Sequence, residues 1–395
     1  MPSNSALVSV GLEAPPLAEG GVSALDANVP RDWPHRKAVA VHSDQGMVVT
    51  DSTIATQVGR DILARQGNAF DAAVAVAFAL AVAYPTAGNL GGGGFAVTWS
   101  RGEAHALDFR EVAPRAARRD MFVNAPTLNQ GASTKPAESQ SRVGIRSVAV
   151  PGSVAGLWEL YQRLGSRRLT WAELLQPAVG LARSGFIVDA EFARSIEHAA
   201  AQLRRSPASL ALFFPEGGAK LKDSRFRNPD LAVVLERIAE NGREGFYRGA
   251  TAKAIVAQMR HDHGLITQAD LDSYVAKWRE PLQFTYRAMH VTAMPPPSSG
   301  GVTLAMICHI LEAYDLQQLG FQSSASLHLV FESMRRAFAA RNAKLGDPDF
   351  VSMPLDELLG SAWAAAQRST IQADRATPST AIESATTTQT TGMHT

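Results

Sequence analysis

Gly88-Asn89-Leu90-Gly91-Gly92-Gly93-Gly94-Phe95 leads into a segment that ends in Asp108-Phe109-Arg110-Glu111. Four consecutive glycines carry no Cβ atoms, so the backbone there is free to adopt φ > 0 and can be approached closely by other main chain. The residues that follow read as a hairpin: a strand over Phe95–Ser100, a turn at Arg101-Gly102-Glu103 and a return strand over residues 104–109. The hairpin carries Arg110 to its far end. Arginine is charged at any working pH, and its planar fork matches a carboxylate. Two readings follow. Arg110 grips the carboxylate of a small amino-acid-like substrate beside main chain packed on the glycines, or it forms a structural ion pair with its neighbours Asp108 and Glu111. The residues alone leave both open. A phosphate cradle is disfavoured, because the glycine run lacks a Lys-Ser/Thr ending and precedes a strand rather than a helix.

Outside this stretch the composition bounds the class. The chain has 395 residues, 46% hydrophobic and 19% charged, enough for one large or two medium domains. Lys+Arg 38 against Asp+Glu 37 leaves a net charge of +1, so no basic field argues for nucleic acid. The single cysteine, Cys308, excludes an internal disulfide and a cysteine-rich metal site, and reads as a small buried hydrophobe. The longest apolar run, residues 72–84, falls short of the ~20 residues needed to span a bilayer and reads as a core helix. No charged region followed by a long apolar stretch marks a secretory signal at the start. Pro15, Pro16, Gly20, Gly21 and Pro30 suggest a loose, disordered leader, taken as residues 1–36.

Along the chain, residues 47–51 read as a short buried strand. Ser52 or Thr53 then caps a helix with Ile54, Val58, Ile62 and Leu63 on its apolar side, and Asn68 or Asp71 opens the helix through Ala83. A strand, two helices, a glycine turn and a hairpin in succession imply an α/β layered core. Residues 124–142 are polar and rich in turn formers, a surface loop. Pro151-Gly152-Ser153 reads as a cap on a helix with Val154, Leu157, Trp158 and Tyr161 inward. Thr170-x-x-Glu173 and Thr267-x-x-Asp270 read as capping boxes, and Pro177 as the opening of a new helix that ends at Ser184-Gly185. Residues 282–286 and 289–294 alternate as a second strand pair. After residues 295–301 come a helix with Leu304, Ile307, Cys308 and Leu311 inward, and another with Leu327, Val330, Phe331, Met334 and Phe338 inward. From Thr377 onward Thr, Ser and Ala dominate without an apolar period, a composition that reads as a disordered linker.

Little else in the chain carries chemistry. His261-x-His263 offers two metal ligands with no third nearby, and Asp262 and Gly264 place it in a solvent turn. No G-x-S-x-G elbow is present. Ser298-Ser299-Gly300-Gly301 reads as a turn before a helix rather than a nucleophile loop. Gln389-Thr390-Thr391 is different. A chain cut just before a threonine gives that residue an α-amino group, which then serves as the base for its own hydroxyl. A plain low-complexity linker is the competing reading.

Taken together, these segments resemble the large subunit of the γ-glutamyltranspeptidases. The resemblance is carried, in one order, by Gly67-Asn68-Ala69-Phe70-Asp71-Ala72-Ala73, the glycine run, Asp108-Phe109-Arg110-Glu111, Pro151-Gly152-Ser153-Val154-Ala155-Gly156, residues 295–301 and Gly346-Asp347-Pro348-Asp349-Phe350. It implies an α/β N-terminal-nucleophile hydrolase fold, an αββα four-layer sandwich of which this chain is the large-subunit portion. It implies a domain over residues 37–375, and a flexible linker over residues 376–395 before a self-cleavage site. It implies a zymogen that cuts itself into a heterodimer, whose new N-terminal threonine attacks the γ-glutamyl amide of glutathione and passes the glutamyl group to water or to acceptor amino acids or peptides. A small subunit of the same precursor, supplying the oxyanion-hole glycines, is the expected partner. No cofactor, metal, nucleic acid or membrane is expected. Arg110 matches the arginine that binds the substrate α-carboxylate. Thr390 matches the nucleophile, but Gly392 stands where the family has histidine, so the nucleophile is Thr390, Thr395 or a residue beyond. Ala340 stands where relatives carry aspartate before Arg341. Relatives suggest a periplasmic or secreted location, and the lack of a visible signal leaves the cytoplasm open. An acylase of the same fold acting on glutaryl-type side chains, or an inactive fragment serving only as a binding subunit, are the alternatives.

Overall fold

Two side-chain caps start the helical layer. Ser52 accepts the Ala55 N–H at 3.4 Å to open α1 (Thr53–Ala64), and Asn68 and Asp71 cap α2 (Ala69–Ala83) reciprocally. The computed structural model describes residues 42–122, 141, 144–215 and 222–386, and its elements divide into two units. The leader 1–36, most of the loop 124–142, Thr390 and Thr395 lie outside the described residues.

The first unit holds residues 45–95 and 107–277. Its centre is α2, packed on α1, on α3 (Ser153–Leu164) and on α4 (Trp171–Ser184); α4 in turn packs on α8 (Pro229–Asn241). Phe78 of α2 meets Trp171 edge-on at 5.5 Å, and Trp158 and Tyr161 of α3 complete the aromatic cluster. The Trp171 indole N–H donates to the Ile238 carbonyl at 2.8 Å, so the buried ring keeps a partner. Between α4 and α8 lie the short pair β3 (Phe186–Ile187) and β4 (Arg225–Phe226), with α5 (Ala190–His198), α6 (Ala200–Leu203) and α7 (Pro207–Phe213) between them in sequence. After α8 come α9 (Glu244–Tyr247), α10 (Gly249–His261) and α11 (Gln268–Ser273), the last opened by the Thr267–Asp270 capping box.

Three expectations are corrected in this unit. Residues 47–51 form no strand: among the described residues they have no ladder partner, and Val49 is 80% exposed while Val48 packs on the α1/α2 cluster. Val48 and Val49 are both apolar and β-branched, but without a neighbouring strand one of the two is left in water. The buried face of α1 is Ala55, Gly59 and Ile62, because close packing on α2 selects the small residues. Pro177 lies inside α4 rather than opening a helix. Burial of Leu174, Leu175, Ala178, Val179 and Ala182 outweighs the ~3 kcal/mol that an internal proline costs. Within the Pro151-Gly152-Ser153 cap the N-cap of α3 is Gly152, which makes no side-chain cap hydrogen bond.

The second unit holds residues 42–44, 96–106 and 278–386 among those described. The hairpin is as read, β1 (Phe95–Ser100) and β2 (Glu103–Asp108), and it joins β5 (Lys277–Arg279) in the order β1-β2-β5. The second pair, β6 (Leu282–Tyr286) and β7 (Met289–Ala293), is antiparallel with Leu282 opposite Ala293 and Tyr286 opposite Met289. Helix α12 (Gly300–Leu311) follows, then α13 (Leu316–Leu319), α14 (Ser324–Lys344), α15 (Leu355–Leu358), α16 (Ser361–Arg368) and α17 (Ser379–Thr386). Val302 and Met306 of α12 pack with Ala337 and Ala340 of α14 and with Leu358 of α15 to form the core.

Here the apolar faces differ from those expected. In α12 the buried residues are Val302, Ala305, Met306, Ile310 and Leu311, with Leu304 exposed and Cys308 only half-buried. In α14 the stripe of Phe331 and Phe338 faces outward, Phe331 being 56% exposed. The buried face instead carries Leu329, Glu332, Ser333, Arg336, Ala337 and Ala340. The segment from Thr370 to α17 lies along that face. The Arg336 guanidinium, about 1% exposed, donates to the Thr370 Oγ1 (2.9 Å) and carbonyl (3.0 Å), to the Thr377 Oγ1 (3.0 Å), and to the Glu332 carbonyl (3.1 Å) and carboxylate. The linker expectation is therefore corrected over residues 379–386, which are helical, with Ile382 buried against the unit.

A buried ion pair is tolerated only when its remaining polar atoms are satisfied. Burial alone would raise the Glu332 carboxyl, but hydrogen bonds from Thr377 and Arg336 and the Arg336 charge hold it at about 2, below the ordinary 4.5. A depressed folded value means that the pair stabilises fully above about 4.5 and loses its contribution as pH falls toward about 2. Urea midpoints measured across that window should fall steeply in the wild type, and Glu332→Gln should flatten this part of the profile. Phe78→Ala should cost about 3–5 kcal/mol in the same assay, because it opens a cavity against Trp171.

Candidate functional site

Three stretches of main chain meet around Arg110 without side chains between them. The Gly94 N–H donates to the Phe109 carbonyl at 3.2 Å, and the Phe109 N–H returns to the Gly94 carbonyl at 3.0 Å. The Gly92 carbonyl accepts the N–H groups of Gly152 (2.7 Å) and Ser153 (3.0 Å). A Cβ on Gly93 would lie 2.5 Å from the Phe109 oxygen and 2.9 Å from the Arg110 Cα; one on Gly152 would lie 2.0 Å from the Phe109 oxygen. No glycine of the run has positive φ among the described residues. Close approach, not left-handed backbone, is what requires glycine here.

The peptide groups of Arg110 are held on both sides. Its N–H donates to the buried Asp108 Oδ1 at 3.0 Å, and its carbonyl accepts the Tyr274 hydroxyl at 2.8 Å. Tyr274 stacks on Tyr247 with centroids 5.8 Å apart and planes 6° from parallel. The Tyr247 hydroxyl donates to the Pro151 carbonyl at 2.8 Å, fixing the segment that carries Gly152. The Arg243 guanidinium lies over the Tyr247 ring at 5.1 Å and donates to the Tyr274 carbonyl at 2.9 Å. Burial pushes both phenols well above the ordinary tyrosine value, so both remain neutral donors at working pH.

The Arg110 side chain itself is exposed and, among the described residues, its guanidinium has no hydrogen-bond or ion-pair partner. The ion-pair reading is corrected: the Asp108 carboxylate holds the Arg110 backbone, not its charge. A rigid peptide that presents an uncommitted planar cation is suited to bidentate capture of a carboxylate. The sequence missed Tyr274 and Tyr247, for which no local signal exists, and read Gly152 only as part of a cap. Ser299 likewise has another use than capping: its hydroxyl accepts the Arg341 Nε–H at 2.9 Å. The His261–His263 segment is the end of α10, where His263 turns at φ +59°.

Removing the Tyr274 hydroxyl should have a modest cost, about 1 kcal/mol for Tyr274→Phe. Gly152→Ala should destabilise more, by about 1–3 kcal/mol, because its Cβ would meet backbone and the Tyr274 hydroxyl rather than a flexible side-chain end. Urea unfolding of the two variants checks the order.

The sequence profile of the gamma-glutamyltranspeptidases matches residues 55–395. The chain is 42% identical over 344 residues to the glutathione hydrolase proenzyme of Escherichia coli (strain K12), covering 87% of this chain and 58% of that protein. It is 39% identical over 351 residues to the acylase ACY 1 proenzyme of Pseudomonas sp. (strain V22), covering 88% of this chain and 62% of that one. Superposed on the crystal structure of Helicobacter pylori gamma-glutamyltranspeptidase it gives a TM-score of 0.82 at 37% identity, covering 90% of this chain and 100% of the matched chain. The chain thus spans less than two thirds of the length of the curated proenzymes it matches. It belongs to the γ-glutamyltranspeptidase family and has the α/β fold of the N-terminal-nucleophile hydrolases.

Proposed function

We propose that this chain is the large subunit of a γ-glutamyltransferase and glutathione hydrolase, with Arg110 binding the α-carboxylate of the γ-glutamyl donor. The observation that carries this reading is the exposed Arg110 guanidinium, unpartnered among the described residues, on a peptide locked by Asp108, Gly93 and Tyr274. Complete coverage of a solved transpeptidase chain, against 58% of a proenzyme, supports one subunit of two. Residues 37–375 form the subunit's domain, and residues 376–395 connect it to the cleavage site.

In this reading the amide before Thr390, or before Thr395 or a later residue, is hydrolysed. Water supplies the hydroxyl of the new carboxylate, and the threonine gains a free α-amino group as its base. The threonine oxygen then displaces the amine of a γ-glutamyl amide and forms an ester, which water or an acceptor amine cleaves. The small subunit supplies the oxyanion donors, so the isolated large subunit should be inactive; removing one such donor typically costs ~10²–10³ in rate.

Two measurements test the assignment. In the assembled enzyme, Arg110→Ala should raise KM for γ-glutamyl-p-nitroanilide about 10- to 100-fold, the worth of a charged hydrogen-bond pair, with a smaller effect on kcat. An unchanged KM would remove Arg110 from the site. The identity to an acylase proenzyme favours one second reading, a glutaryl acylase. Glutaryl-p-nitroanilide presents the carboxylate without the α-amino group, so faster turnover of it than of the γ-glutamyl compound would establish the acylase.

A further inference from the structure

Glu332, Arg335 and Arg336 hold a single residue, Thr377, by each of its polar groups. The Thr377 N–H donates to Glu332 Oε1 at 3.2 Å. Its carbonyl accepts Arg335 Nη2 at 2.6 Å, and its hydroxyl accepts Arg336 Nη2 at 3.0 Å. The contacts extend to either side. Arg336 takes both the hydroxyl and the carbonyl of Thr370, Arg335 reaches the Ser379 hydroxyl at 3.0 Å, and His328 Nε2 lies 2.7 Å from the Gln372 carbonyl. His328, Glu332, Arg335 and Arg336 share one face of α14, and α17 packs on the same helix.

We propose that this cluster is a register clamp: it fixes which residue of the C-terminal segment sits on α14 and so positions the self-cleaving threonine of the precursor. The proposal rests on the preceding functional reading. A spacer needs no buried ion pair, and burying one carries a desolvation cost that only complete hydrogen bonding offsets. Gripping the N–H, C=O and hydroxyl of one residue prevents a slip that gripping a side chain alone would permit. Thr377 precedes Thr390 by 13 residues and Thr395 by 18, and α17 stiffens eight of those between. A one-residue slip at Thr377 shifts everything downstream by about 3.5 Å along an extended chain, as far as the whole separation of atoms poised to react. Glu332, Arg335 and Arg336 are positioning residues in this account, since none is assigned contact with the scissile bond.

Arg335→Gln and Arg335→Ala test the clamp in the complete gene product, because each leaves the buried Glu332–Arg336 pair and its Thr370 and Thr377 partners in place. The side chain of Arg335 is 31% exposed, so its truncation strands no buried charge. Amide hydrogen exchange across residues 378–386 should accelerate about tenfold in both variants, while exchange in α12 and the melting transition stay at wild-type values. Conversion of precursor into two chains, followed by intact mass, should slow about tenfold or more. Cleavage at the wild-type rate despite faster exchange would overturn the positioning role. Unchanged exchange would overturn the clamp itself, and slower cleavage accompanied by a lower melting transition would reduce it to a structural contact. A wild-type product that never cleaves would instead overturn the functional reading, with the exchange data still deciding whether the clamp exists.

Discussion

The contact on which the site depends is one of main chain against main chain. Around Phe109 and Arg110 the glycine run and the Pro151-Gly152 segment approach to distances that no Cβ would allow. Backbone in this arrangement has no rotamers to choose, so the position of Arg110 is set by hydrogen bonds whose donors and acceptors are themselves held. The Tyr247–Tyr274 pair extends the same logic one layer down. Each hydroxyl takes a carbonyl, one on Arg110 and one on Pro151, and the stacked rings keep the two carbonyls at a fixed spacing. Rigidity is concentrated beneath the residue and freedom is left at its tip. A cation built into a structural ion pair would show the reverse pattern.

Local rules recovered the elements that local chemistry decides. The Thr170–Glu173 and Thr267–Asp270 capping boxes stand where the spacing put them, Asn68 opens α2 as one of the two expected starts, and the hairpin on either side of Gly102 is one residue from its expected bounds. The position of Arg110 was legible because the hairpin that the sequence predicts delivers it to the hairpin's end. What escaped the sequence depends on neighbours far along the chain. Tyr274 lies 164 residues from the carbonyl it serves, and nothing in its surroundings announces that distance. Residues 47–51 carry the β-branched apolar residues of a strand, but a strand exists only where another pairs with it.

The error on α14 has a more specific cause. A helix whose apolar stripe is Leu327, Val330, Phe331, Met334 and Phe338 should bury that stripe, since burial is worth roughly 1.5–3 kcal/mol for each large side chain. The chain buries Glu332 and Arg336 instead, because the segment from Thr370 to Ile382 brings the partners that make burial of the pair tolerable. The polar face and the threonine-rich segment are therefore one feature, and neither can be read without the other. Threonine composition signals disorder only when no outside group binds its hydroxyls and backbone. Arg336, with its donors divided between Glu332, Thr370 and Thr377, is such a group.

The proposed function, acyl transfer through a threonine, would require two kinds of precision from a large subunit. The acyl donor must be held, and the bond to be cut in the precursor must be presented at a defined register. The chain places Arg110 and its C-terminal segment by different physics. Arg110 is placed by close-packed backbone, where specificity comes from excluded volume and a misplaced Cβ is intolerable. The C-terminal segment is placed by a buried charge cluster, where specificity comes from the cost of leaving any one donor unpaired. The second device would suit the proposed cleavage downstream. Its hydrogen bonds to Thr377 and Ser379 lie before residue 386, so breaking the chain after that residue removes none of those that hold Thr377. A grip based on hydrophobic burial of the scissile stretch itself would have been lost, or would have trapped the new end, at the moment of cleavage.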